Sequence, residues 1–151
     1  DHYSPNRKWD LRFLELAKFV AQWSKDPSTK TGAVIVDGRR RVVSIGYNGF
    51  PPGVADDERL NDWEIKYQII VHCERNAVVN AGRSVEGCTL YTWPFFGCTP
   101  CGSLMLAAGL KRAVAPTIPD HLRERWEADL NRAVSLWQEA GAQVTIYTDQ
   151  P

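Results

Sequence analysis

Apolar positions near the start of the chain recur every three or four residues: Trp9, Phe13, Leu16, Val20 and Trp23. That spacing gathers them on one helical face, so residues 9–25 read as an amphipathic helix stopped by Asp26-Pro27, with its aromatic stripe in the core. The pattern then changes to β-branched runs at 31–37 and 41–47 on either side of Gly38, which predicts a hairpin. The unbroken Ala33-Val34-Ile35-Val36 predicts a strand covered on both faces, and Arg39-Arg40-Arg41 a solvated turn. A stretch punctuated by Pro and Gly, residues 49–67, shows no periodicity and reads as loop. Residues 72–81 read as a helix ended by Gly82, 89–93 as a third strand and 110–115 as a fourth. Leu122, Trp126, Leu130, Ala133, Trp137 and Ala140 mark a long amphipathic helix closed by Gly141, and 143–147 a fifth strand. A helix between strands four and five allows them to run parallel. The expected fold is therefore α/β, a single domain over residues 1–151 with a mixed five-stranded sheet sandwiched by helices.

Composition narrows the class. With 151 residues, 44% hydrophobic and 24% charged, the chain can bury a core of ordinary size. No segment is apolar over a bilayer-spanning length and no signal-peptide pattern opens the chain, so the expected location is cytoplasmic, with no membrane partner. Eighteen basic and eighteen acidic residues cancel. That balance gives no general attraction to polyphosphate backbones and argues against a nucleic-acid partner.

The chemistry is concentrated in His72-Cys73-Glu74 and, downstream, Cys98-Thr99-Pro100-Cys101. An H-x-E followed by C-x-x-C is the pattern of zinc-dependent nucleobase deaminases. One imidazole and two thiolates supply three protein ligands, the number found in catalytic rather than closed structural zinc sites. Cys98 and Cys101, at i and i+3, share a helical face, and a helix start there favours their thiolate forms. Glu74 is then the non-ligand acid/base that moves protons between water, ring nitrogen and leaving ammonia. The alternatives for the cysteines are a redox pair at 98 and 101, or a structural clip with Cys73 and Cys88. Without metal-site partners, Cys73 and Cys88 read as small buried apolar side chains.

Beyond the zinc signature, Ser24-Lys25-Asp26-Pro27-Ser28-Thr29-Lys30-Thr31-Gly32-Ala33, Gly46-Tyr47-Asn48-Gly49-Phe50-Pro51 and Ile65-Lys66-Tyr67 stand before His72-Cys73-Glu74-Arg75-Asn76-Ala77. With these blocks the chain resembles the deoxycytidylate (dCMP) deaminase family over residues 9–115. The resemblance implies a cytidine deaminase-like three-layer fold, a homo-oligomer and a free small-molecule nucleotide substrate. It implies His72, Cys98 and Cys101 as zinc ligands, Glu74 as proton shuttle and Asn48 as a sugar contact, although Asn48-Gly49 is also a strong turn dipeptide. Ser28, Thr29 and Lys30 form a polar loop suited to a phosphate, or simply a solvated one.

Several positions depart from the family pattern. Cys73 stands for Ala, Gly97 for Pro, residues 93–97 form a loop one residue longer, and residues 115–119 lack the Asp and Tyr of the family's closing loop. Residues 49–71 hold no Cys or His for a second metal, so one Zn²⁺ per chain is expected. The first functional reading is conversion of dCMP to dUMP with release of ammonia. The others are the same reaction on a modified cytosine nucleotide, another nucleoside or a free base, and a zinc-stabilised regulatory module without catalysis. Glu74 argues against the last, since a structural site has no use for that acid.

Overall fold

The apolar run at residues 33–36 becomes the middle layer of the molecule. In a computed structural model that describes residues 6–148, strand β1 (Gly32–Val36) is buried at all of its positions. β2 (Val42–Tyr47) and β3 (Thr89–Trp93) flank it antiparallel, and β4 (Arg112–Pro116) and β5 (Gln143–Tyr147) continue in parallel beyond β3. The sheet order is β2-β1-β3-β4-β5. The α-helices among the described residues are α1 (Arg7–Ala21), α2 (Trp63–Ile69), α3 (Cys73–Ala81), α4 (Thr99–Ala107) and α5 (Asp120–Glu139). As the sequence predicts, α5 makes the crossover that allows β4 and β5 to be parallel. None of these helices is long and apolar enough to cross a membrane.

Alternation along β1 divides the core into two layers. Ala33 and Ile35 pack with Leu90, Ala113 and Ala115 against Ala77, Met105 and Trp137 of α3, α4 and α5. Val34 and Val36 face the other way, with Tyr91 and Val114, onto Phe13, Leu14 and Ala17 of α1. Helices on both sides of one mixed sheet make the expected three-layer sandwich.

Most element ends fall within two residues of the sequence reading, but the end of α1 and the segment before His72 differ more. Helix α1 ends at Ala21 rather than running on to Lys25, because Gln22, Trp23 and Ser24 donate backbone bonds three residues back. Ser24 then turns inward: its Oγ donates to the Asn48 carbonyl at 2.9 Å and accepts from Asp26 N–H at 3.1 Å. The segment read as loop contains a 3₁₀ turn at Glu58–Asn61 and the seven-residue α2, whose N-cap Asp62 accepts from Ile65 N–H. Two turns of helix are too short to show a period in the sequence.

At the end of the sheet where β1 leaves and β3 enters, a charge is fully enclosed. Asp10 of α1 is 0% exposed and accepts hydrogen bonds from Arg112 (2.9 and 2.6 Å), Tyr91 Oη (2.9 Å) and Tyr147 Oη (2.7 Å). One carboxylate thereby ties α1 to β3, β4 and β5. Burial alone would raise its pKa, but the bonds from Arg112 and Tyr147, with the Arg112 charge, outweigh it and hold the carboxyl below its ordinary value.

Asp10→Ala leaves Arg112 without its counter-charge and should lower the unfolding free energy at pH 7 by about 3–5 kcal/mol in urea titrations. A carboxyl held low in the folded state adds stability above its unfolded pKa of about 4 and loses it as pH falls through the folded value. The gap between wild type and Asp10→Ala should therefore narrow below about pH 4. A gap that stays constant to pH 2.5 would contradict this account.

Candidate metal centre and pocket

His72 is the N-cap of α3, with φ −69° and ψ 155°, and its side chain makes no capping bond. Its ring is therefore left for other partners. The residue before it is pinned by a two-bond bridge, in which Gly49 N–H donates to Val71 O at 3.2 Å and Val71 N–H to Gly49 O at 2.9 Å. Helix α3 itself is fastened to the edge strand β2. Asn76 donates to Tyr47 O at 2.8 Å, Asn80 to Ile45 O at 3.0 Å, and Ser44 Oγ to Ala77 O at 2.6 Å. Gly46 makes this approach possible, since a Cβ there would run into the Cys73 carbonyl and the Ala77 nitrogen.

Cys98 is likewise an N-cap, at φ −77° and ψ 163° before α4, with no side-chain capping bond. Cys101 lies one turn on and is wholly buried. The start of α4 is held from α5: Asp129 accepts from Thr99 N–H at 3.1 Å and from Thr99 Oγ1 at 2.7 Å. These two helix starts bring His72 Nδ1 to 2.9 Å from Cys101 Sγ and 3.4 Å from Cys98 Sγ, with the sulfurs 2.9 Å apart. The cysteines are free thiols rather than a disulfide.

Donor type and spacing fit zinc, because Zn–S bonds of about 2.3 Å and Zn–N bonds of about 2.0 Å require ligand atoms a few ångströms apart. All three donors lie within 4.8 Å of one another. The Cys98 thiol is pushed down to about 4, first by its hydrogen bond with Cys101 and then by His72, whereas Cys101 is pushed up by the same bond and by burial. The opposite directions describe one proton shared by a pair. His72 is raised, first by its bond with Cys98 and against burial, with the Glu74 charge adding to it.

Glu74, one residue into α3, is 4% exposed, and its Oε1 is 3.9 Å from His72 Nδ1. Burial raises its carboxyl pKa, while the neighbouring His72 charge lowers it in part. Gly97 faces this carboxylate so closely that a Cβ would lie 2.5 Å from Glu74 Oε2. Glycine in place of the family's usual proline thus clears room for the acid. Cys88 is a buried core thiol, as expected. Cys73 is buried too, yet it lines the pocket, with Sγ 3.8 Å from Glu74 Oε2.

His72, Glu74 and Cys98 line a pocket whose walls come from five separate parts of the chain: residues 26–31, 48, 63–74, 95–98 and 125–126. Ser28, Thr29 and Thr31 form part of one wall; Lys30 is exposed and is not among the lining residues. Asn48 lines the same wall and is 5% exposed. Its Oδ1 accepts from Thr31 N–H at 2.9 Å, and its Nδ2 donates to Thr29 O at 2.9 Å and Asp26 Oδ2 at 3.3 Å. Asp26 in turn accepts from Lys66 Nζ at 3.0 Å, a buried ion pair. Asn48 thus braces the loop, and Asn48-Gly49 forms no turn: Gly49 is instead bridged to Val71.

Sequence reasoning assigned no role to Lys66, Phe95, Arg125 or Trp126, all of which line this pocket. Lys66 had a signal in the Ile65-Lys66-Tyr67 block. Arg125 had none, and Trp126 was read in the apolar stripe of its helix, whereas the structure leaves it half-buried at the pocket.

A family profile described as the cytidine and deoxycytidylate deaminase zinc-binding region matches residues 7–117. An Aliivibrio fischeri protein described as an uncharacterized deaminase in luxG 3′region is 37% identical over 91% of this chain and 92% of its own length. Human deoxycytidylate deaminase is also 37% identical, over 71% of this chain and 64% of its own length. The chain thus spans just under two thirds of that relative. Crystal structures of the dCMP deaminase of cyanophage S-TIM5 share the fold: the apo form at TM-score 0.72 and 20% identity, covering 92% of this chain and 97% of the phage chain. The complex with dCMP and dUMP gives 0.70 and 21%, covering 96% and 99%.

Elemental analysis of the purified protein should return about one zinc per chain, the content set by a single three-ligand site. Cys98→Ser and Cys101→Ser should each lower both metal content and melting temperature, because binding energy of a metal held by the folded state is folding energy. Two zincs per chain, or full retention in both variants, would contradict the assignment.

Proposed function

Because the chain belongs to the cytidine and deoxycytidylate deaminase family, we propose that it is a zinc-dependent aminohydrolase that converts dCMP to dUMP and ammonia. The observation that carries the reading is the convergence of His72, Cys98 and Cys101 beside a buried Glu74 at a pocket wall. Held by those three side chains, Zn²⁺ supplies Lewis acidity and lowers the pKa of water.

Glu74 takes the proton from the attacking water, gives one to the ring nitrogen and carries one to the departing amino group. Water adds at the amino-bearing carbon, the C–N bond breaks and ammonia leaves. Burial suits Glu74 to this work, since a carboxyl raised above its ordinary value is a stronger base and holds the proton it takes until the substrate receives it. The absence of a side chain at Gly97 leaves the acid its space.

Asn48 is proposed to meet the sugar. Its Nδ2 protons are committed to Thr29 and Asp26, but Oδ1 accepts only Thr31 N–H and keeps a second lone pair for a hydroxyl. Ser28 lies further along the same wall. A homo-oligomer in the cytoplasm, acting on a free nucleotide rather than on nucleic acid, completes the proposal. The neutral overall charge supports it.

Glu74→Gln keeps size and removes the base, so the variant should stay folded and zinc-loaded while ammonia release from dCMP falls by at least roughly 10²–10⁴-fold. Near wild-type turnover would move the proton shuttle elsewhere. Asn48→Ala removes both the sugar contact and the brace of the 26–31 loop. It should raise KM for dCMP and lower the melting temperature together, as read by steady-state kinetics and thermal unfolding.

A further inference from the structure

We propose that Arg125, on α5, reads the 5′-phosphate of the substrate and so sets the preference for nucleotides over nucleosides and free bases. The inference rests on the deaminase reading above. In that reaction the amino-bearing edge of the pyrimidine must face His72, Cys98 and Glu74. The sugar and its phosphate then extend away from them toward the open rim of the pocket, where a dianion needs a cation.

Among the described residues that line the pocket, the Lys and Arg side chains are Lys66 and Arg125. Lys66 is buried and already neutralised by Asp26 at 3.0 Å. Arg125 is exposed and has no carboxylate partner among the described residues, whereas its neighbours on α5 are paired: Arg123 with Asp120 and Glu127, Arg132 with Asp129. The loop lysine Lys30 does not line the pocket, and Arg39, Arg40 and Arg41 lie at the opposite end of β1. The uncompensated positive charge of the pocket is therefore that of Arg125.

Its setting also suits the task. The guanidinium lies over the Trp63 ring of α2, 5.5 Å from the centroid, and over the Trp126 ring, 5.0 Å from the centroid. Aromatic faces hold a guanidinium by its flat sides and leave its N–H edge free for a bidentate oxyanion. Trp126 continues to Phe95, with ring centroids 6.0 Å apart, so the arm is continuous with the loop that leads into Cys98. Asp129, one turn further along α5, is the residue bonded to Thr99 at the start of α4. Residues four apart share a helical face, so the face that carries Arg125 is the one turned to the site.

The test uses the zinc-loaded full chain, with dUMP and deoxyuridine affinities measured by calorimetry and ammonia release followed from dCMP and deoxycytidine. Arg125→Ala should weaken dUMP by roughly 10–100-fold and deoxyuridine by less than about threefold, since only the nucleotide loses a charge-assisted contact. Arg125→Lys, which keeps the charge and loses the fork, should fall between. Equal losses for dUMP and deoxyuridine, or no loss for either, overturn the proposal, as does a selective loss of dUMP binding in Lys30→Ala with Arg125→Ala unaffected. A wild-type protein that releases no ammonia from dCMP overturns the deaminase reading and this inference with it. A wild type active on dCMP with an indifferent Arg125→Ala overturns the inference alone.

Discussion

The rest of the structure is arranged around two helix N-termini that meet. His72 and Cys98 are both N-caps, and neither spends its side chain on capping its own helix. The first turns of α3 and α4 thus bring the positive ends of their dipoles to one place, with Thr99 N–H of α4 taken by Asp129. That field favours thiolate there, which is what a cationic metal needs beside it. Everything that fixes the two helices follows from this requirement: the missing Cβ of Gly46, the Asn76 and Asn80 bonds to β2, and the Asp129 bonds to Thr99.

Charge is also buried away from that point, and always in pairs. Asp10 with Arg112 closes one end of the sheet, and Asp26 with Lys66 lies at the pocket. Each carboxylate has additional donors: two tyrosines for Asp10, two backbone N–H groups and the Asn48 amide for Asp26. Saturation of this kind lets a buried ion pair hold geometry, since a charge missing one of its partners would cost several kcal/mol. The second network braces the 26–31 loop against residue 48 at the pocket wall.

The sequence spoke most clearly where pattern and chemistry were local. The doubly buried β1, the helix that begins at His72, and the H-x-E and C-x-x-C ligand set could all be read from adjacent residues, because period and spacing are properties of neighbours. The end of α1 was harder: Asp26-Pro27 is a stop signal, but the helix yields earlier, once Ser24 finds Asn48, a partner 24 residues away. Helix α2 was too short to show a period. The phosphate loop was legible as a polar segment, yet nothing in residues 28–30 reveals that Lys30 points away from the pocket wall while Lys66 and Arg125 line it. Which cation faces a cavity is decided by packing between distant elements, and no local spacing encodes it.

Helix α5 contributes Arg125 to the pocket rim and Asp129 to the clamp on the cysteine helix, four residues apart on a single turn. The proposed phosphate contact and the anchor of the cysteine helix therefore share one stretch of backbone. The twenty-residue crossover, outwardly just a connector between two parallel strands, carries a rim of the pocket and the anchor of one of its walls on the same turn, so a shift of α5 would move both together.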